Sequence, residues 1–229
     1  MSAIADSRQR VLEKIRAATR NSAAQVGPLP SPIARSYMRR GSLTARDCQE
    51  RFIERLREYD AEVAECEPEA LAATIHAQLA ASGRHTFVAP AGLPAEWLVR
   101  GFDWKVDGRL PVEEIERADG VVTACFCGVA ESGTIVLHHG AAEGRRVISL
   151  LPDWHLCVVR ASQVVETLPE YFDRCAIREQ GSGNSEQGTS RSPQLVTWIA
   201  GPSATADIEM TRIKGVHGPR FLNVVLVRD

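Results

Sequence analysis

Gly120–Phe126, GVVTACF, is the first run in this chain apolar enough to be buried on both faces. A strand with one wet face alternates apolar and polar residues. A continuous apolar strand needs cover on both sides, as a parallel sheet between two layers of helix supplies. Further runs of the same kind follow toward the C-terminus: Thr134–His138, Val147–Leu151 ending at Pro152, His155–Val159, Leu195–Ala200 and Phe221–Val227. On the other side stand shorter strand-like pieces, Glu62–Cys66, His85–Ala89 and Trp104–Val106. Helical stretches separate them: Glu67–Ala81 with Pro68 in its first turn and Gly83 as its stop, Pro94–Arg100, Pro111–Ala118 and Pro169–Cys175. Strands alternating with helices predict an α/β fold, an open and largely parallel sheet with helices on both faces.

An N-terminal arm precedes this core. Ala5–Thr19 reads as an amphipathic helix, with Val11, Leu12 and Ile15 at helical spacing. Gly27–Pro32, with Pro28, Pro30 and Pro32, is a stiff extended connector. The expected division is therefore 1–32 for the arm and 33–229 for one α/β domain. Such an arm can lie back on the core, cap a sheet edge or embrace a partner chain, so a homo-oligomer is compatible with it. Ser42–Tyr59 is the next helix, capped by Ser42, with Phe52, Ile53 and Leu56 on one stripe. Glu179–Ser192, EQGSGNSEQGTSRS, holds no large apolar residue and is expected to be a mobile loop at about 179–194, either a lid or an exposed insertion.

Composition removes several functions. The chain has 229 residues and a formal net charge of −2, and no basic field for nucleic acid. No apolar run approaches the roughly 20 residues of a membrane span. The stretch 1–21 interrupts its apolar residues with Asp6, Arg8, Arg10, Glu13 and Lys14, unlike a signal peptide, so a cytoplasmic address is expected. The six cysteines include no CxxC pair and read as reduced, buried small hydrophobes. On one strand Cys125 and Cys127 would share a face, but no further ligand stands at a recognisable metal spacing.

Three segments can carry chemistry. Gly128–Gly133, GVAESG, links two apolar runs and presents Glu131 and Ser132 between glycines. Glu131 there is either a general base or acyl-accepting nucleophile, or a cap for backbone N–H groups in a turn. Gly201–Glu209, GPSATADIE, follows a strand with a Gly-Pro turn; Ser203 and Thr205 then open either a helix start suited to an anion or an extended segment. Asp207 and Glu209 suit the first turn of a helix but would repel a nearby phosphate. Gly215–Pro219, GVHGP, places His217 in a turn, as an acid, base or ligand donor or simply exposed. His138 and His139 would point to opposite faces if extended, and His155 could face either a site or solvent.

GVAESGTIVL (Gly128–Leu137), LPDWHLCVV (Leu151–Val159) and GPSATADIEMTRIKGVHGPRFLNVVLV (Gly201–Val227) together resemble the lactate utilization protein C family, the LUD domain. The likeness runs in order over roughly 61–227, and an N-terminal helical arm is typical of that family. The pairing of GPS…TADIE with GVHGP is specific, whereas either alone is weak. The Gly/Ser/Gln-rich 179–192 departs from the pattern. The resemblance implies a fold related to the sugar-phosphate isomerase/deaminase and CoA-transferase superfamily. It also implies an accessory role in bacterial oxidation of L-lactate to pyruvate, beside iron–sulfur partner proteins that do the redox work, with no cofactor or metal of its own. CoA-transferase relatives use a glutamate in a Glu-x-Gly setting as acyl acceptor, and Glu131-Ser132-Gly133 is similar. The alternative is thus a small-anion-binding or acyl/CoA-transferase-like enzyme. Its catalytic residues would be Glu131 and His217, and Gly128, Ser132, Gly133, Ser203, Thr205 and Asp207 would bind the ligand.

Overall fold

The computed structural model describes residues 2–23, 36–181, 195–206 and 212–229. The chain forms two compact units, Met1–Tyr37 and Met38–Asp229. The first holds helix α1 (Ser2–Ala23), on which Val11 and Ile15 are exposed. The expected Pro-rich connector lies outside the described residues.

The second unit opens with α2 (Ala45–Glu58), β1 (Glu62–Cys66), α3 (Leu71–Ala81), β2 (Thr86–Pro90), β3 (Asp103–Asp107), α4 (Val112–Glu116) and β4 (Gly120–Ala124). It continues through β5 (Cys127–Val129), β6 (Thr134–Leu137), β7 (Trp154–Arg160), β8 (Val164–Val165) and α5 (Leu168–Gly181). The last elements are β9 (Thr197–Ile199), β10 (Ala204–Ala206), β11 (Arg212–Lys214) and β12 (Phe221–Val227).

Six strands form a wholly parallel sheet in the order β1-β12-β7-β4-β2-β3. Strand sequence matches strand position. The central strands β12 and β7 are almost entirely buried, whereas the edges carry charge: Glu62 and Glu65 on β1, Asp103 and Lys105 on β3. Charged edges discourage pairing with another chain. On one face, Leu71, Ile75 and Leu79 of α3 pack on Phe87, Val122, Leu156, Val158 and Val225. On the other, Phe52, Ile53 and Leu56 of α2 pack on Cys157, Val159, Leu222, Val224 and Leu226. Helices on both faces are what the continuous apolar runs require.

A second sheet, β8-β5-β6-β9, covers the α2 side. β5, β6 and β9 run antiparallel and β8 joins β5 in parallel. GVVTACF is therefore not one strand. The chain leaves the first sheet after Ala124 and enters the second at Cys127, and this crossing separates the two cysteines. Cys125 belongs to the core beneath α2, Cys127 to the cluster of Val129, Val136 and Tyr171. Among the described residues no grouping of three or more His, Cys, Asp or Glu is disposed to hold a metal ion.

Two local expectations are corrected and one open alternative is decided. Val147–Leu151 is no strand; Arg146–Ser149 forms a 3-10 turn that sends Ile148 into the core beside Ile115. Ser42 does not cap α2. Thr44 does, its Oγ1 accepting from Asp47 N at 3.2 Å, while Leu43 N and Gly41 N donate to the carboxylates of Glu166 and Glu170. Those two bonds hold the segment before Thr44 away from helical geometry. Finally, Ala204–Ala206 is extended, paired with β11, so no helix starts at Ser203. Beyond the end of α5 at Gly181, the Gly/Ser-rich stretch lies outside the described residues.

Candidate functional site

A cleft of about 350 Å³ opens at the amino ends of β7 and β12, between the parallel sheet and β9. Its lining includes His155 and Leu222 from the strand starts, Thr197 and Ile199 from β9, and the two Gly-Pro turns Gly201-Pro202 and Gly218-Pro219. Open parallel sheets usually bind at the carboxyl ends of their strands. Here those ends are elsewhere.

Ser203 ties the two turns together. Its N–H donates to Pro219 O at 2.8 Å, its carbonyl accepts from Gly215 N at 2.8 Å, and its Oγ accepts from His217 N at 3.1 Å. With that lone pair occupied, the hydroxyl proton of Ser203 remains to donate. His217 is exposed at the rim. Gly201 takes φ +129°, and a Cβ there would lie 2.6 Å from Cβ of Tyr59, so the turn needs glycine to seat against α2's C-terminal cap.

His155 forms the floor and is 1% exposed, with Nε2 2.8 Å from Thr123 Oγ1. Burial without a charged partner drives its pKa down to about 4, so the ring is neutral at physiological pH. On the opposite wall, Thr197 Oγ1 lies 2.8 Å from Nε2 of His139, whose Nδ1 donates to Gly144 O at 2.9 Å. A carbonyl can only accept, which sets the Nδ1–H of that ring. His139 has φ +58°, the left-handed region, in a loop gathered around the buried carboxylate of Glu143. That carboxylate accepts from the N–H of His138, and burial raises its pKa. His138 turns the other way, stacked on Phe126 with Nε2 2.9 Å from the Tyr171 hydroxyl.

Of the expected site residues, the structure brings Ser203 and His217 to this cleft. Thr205 lies in β10 opposite Ile213, and Asp207 lies outside the described residues. The GVAESG residues stand apart; among the described residues none of them lines the cleft. Gly128 sits in β5, where a Cβ would lie 2.8 Å from the Phe52 ring. Gly133, at φ +61°, turns the β5–β6 hairpin against Arg55 and Leu56 of α2. Glu131 and Ser132 are exposed on that hairpin, Glu131 N donating to Glu166 O at 3.0 Å and Ser132 Oγ lying 2.7 Å from Thr134 Oγ1.

The LUD domain family matches residues 49–227, the span that builds both sheets and the cleft. The chain belongs to the LUD family. This LUD protein is 36% identical to Lactate utilization protein C of Deinococcus radiodurans over 212 residues, 92% of the chain and 89% of that relative. It is 35% identical to Lactate utilization protein C of Bacillus subtilis over 141 residues, 60% of the chain and 55% of that relative. Among solved structures it matches that of a DUF162 family protein from Deinococcus radiodurans, with TM-score 0.65 and 34% identity, covering 81% of this chain and 99% of the other.

Three residues of the LUD domain were not grouped by the sequence: His155 and Thr197, which line the cleft, and His139, which is bonded to Thr197. His155 is hidden inside an apolar strand. Thr197 and His139 are 58 positions apart and carry no motif that joins them. Only the β6–β9 pairing, Leu137 opposite Thr197, brings them together.

Proposed function

We propose that this LUD protein serves bacterial lactate utilization as a subunit that holds a small carboxylate in the cleft, while iron–sulfur partner proteins carry the redox centres. The system it serves is suggested by the names of its relatives. The binding role rests on one observation: Ser203 uses its Oγ lone pair to accept from His217 N, which frees its hydroxyl proton for a ligand beside the His217 ring. Two donors from different turns at the mouth of a partly apolar pocket suit a small anion. Both working groups sit on the segments by which the chain resembles its family. A cytoplasmic location accords with that role, and the arm at 1–32 is the segment proposed to dock the partners.

Calorimetric titration of the purified protein with L-lactate and with pyruvate tests the binding role. One of the two should bind, and Ser203→Ala or His217→Ala should weaken it about tenfold, the worth of one hydrogen bond to a charged group. Glu131→Gln should bind as wild type does. Binding that ignores Ser203 and His217 but falls with Glu131→Gln would favour the hairpin carboxylate instead. The system role is tested by growth on L-lactate of a bacterium lacking its own lactate utilization protein C, which this chain should restore.

A further inference from the structure

Thr197, His139 and the Gly144 carbonyl form a chain of hydrogen bonds that ends in the cleft, at 2.8 and 2.9 Å. The order is hydroxyl, imidazole, fixed acceptor. A base within hydrogen-bonding reach of a hydroxyl, and itself oriented by a third group, is the arrangement that activates an oxygen nucleophile. The Nδ1–H bond to Gly144 leaves Nε2 as the ring's acceptor, facing Thr197. The threonine is half-buried and lines a space large enough for a small acyl group, with the Ser203 hydroxyl as a further donor in the same space.

We propose that Thr197 is an acyl-accepting nucleophile with His139 as its general base, and that its substrate is a small acyl thioester. Thr197 Oγ1 attacks the thioester carbonyl while its proton passes to His139 Nε2. The C–O bond forms, the C–S bond breaks, and the proton on Nε2 goes to the departing thiolate. The products are an acyl-threonine ester and a free thiol. Water or an acceptor alcohol then takes the acyl group by the reverse proton path. Gly144, through its carbonyl, and Glu143, through the loop it anchors, are positioning residues for His139.

The inference uses the same cleft as the proposed function but not the lactate role. A chain that restores growth on lactate can fail to acylate, and one that acylates can fail to restore growth. The probe is p-nitrophenyl acetate, an activated ester small enough for the cleft. The intact protein should release a burst of one equivalent of p-nitrophenolate and gain one acetyl group, which peptide mass spectrometry should find on Thr197. His139→Gln should slow the burst by at least about a hundredfold, the usual worth of a general base. Thr197→Val should abolish it, and Thr197→Ser should retain it, which a merely structural clasp between β9 and the loop would not require. No burst from the wild type overturns the proposal. So does an acetyl group on another residue, or a burst that persists in Thr197→Val. Should Thr197→Val not fold, the site of acetylation in the wild type and in Thr197→Ser decides alone.

Discussion

His155 and Thr123 meet side by side on adjacent parallel strands, Nε2 to Oγ1 at 2.8 Å, on the face of the sheet that borders the cleft. Thr123 is fully buried, so the imidazole has a neutral partner and no counter-charge. In the unfolded chain a histidine titrates near ~6.5, and here burial lowers it to about 4. Between those values only the unfolded state takes up the proton, so stability falls as the pH drops through that window. The full effect is on the order of 3 kcal/mol. Urea denaturation from pH 7 to pH 4 should show it, and His155→Asn should flatten the difference. Glu143 acts in the opposite direction, because burial raises its pKa and acid relieves its charge. The comparison with His155→Asn isolates the histidine.

Gly128→Ala should cost about 1–3 kcal/mol, the usual penalty for overpacking a core. Its new methyl group would stand 2.8 Å from Cζ and 3.1 Å from Cε2 of Phe52, a ring with no exposure. Phe52→Leu in the same chain should recover part of the loss. A double-mutant cycle in urea measures that coupling, and ligand binding in the cleft should be unaffected.

Asp107 ends β3 with a buried carboxylate that accepts from Arg109 N, Leu110 N and both Nε and Nη2 of Arg145. The guanidinium contact is the main reason its pKa is lowered. Arg145→Met leaves the carboxylate buried beside an apolar side chain. We expect a loss of about 2 kcal/mol, reduced from the value for a fully buried pair because Arg145 is partly exposed. Thermal unfolding should register the loss at neutral pH. Well below the usual carboxylate range the difference between the variants should shrink, since Asp107 is then protonated in both.

Thiol accessibility offers a direct check on the core. Cys48, Cys125, Cys127 and Cys157 are buried, and only Cys66 and Cys175 reach intermediate exposure. Burial pushes Cys48 and Cys127 up to about 11, which keeps them protonated at mildly alkaline pH. Titration of the native protein with a disulfide reagent at pH 8 should therefore modify Cys66 and Cys175 alone. Denaturant should release all six.

These features differ in how far the sequence discloses them. The parallel sheet was readable because β7 and β12 are mostly apolar, broken internally only by His155 and Asn223, and Phe221–Val227 is found with its expected bounds. The second sheet was hidden by the same chemistry: GVVTACF reads as one strand and GVAESG as a link after it, and composition does not mark the residue at which a chain leaves one layer for another. At the candidate site, the Ser203–His217 half was legible because glycine and proline advertise its turns. The other half is held by Thr197, His139 and His155, whose meeting depends on long-range strand pairing. The hairpin glycines misled for a physical reason. Gly128 and Gly133 are small so that α2 can approach, a demand that looks in sequence like the clearance a ligand needs.

Strand β1 has a single neighbour, β12, from the far end of the domain's sequence. During translation, Glu62–Cys66 leaves the ribosome with its backbone donors and acceptors unmatched. It stays so until almost everything else in the fold has been made. The charges at Glu62 and Glu65 are thus a safeguard in time as well as in space, since the strand must avoid nascent neighbours on the same polysome while it waits.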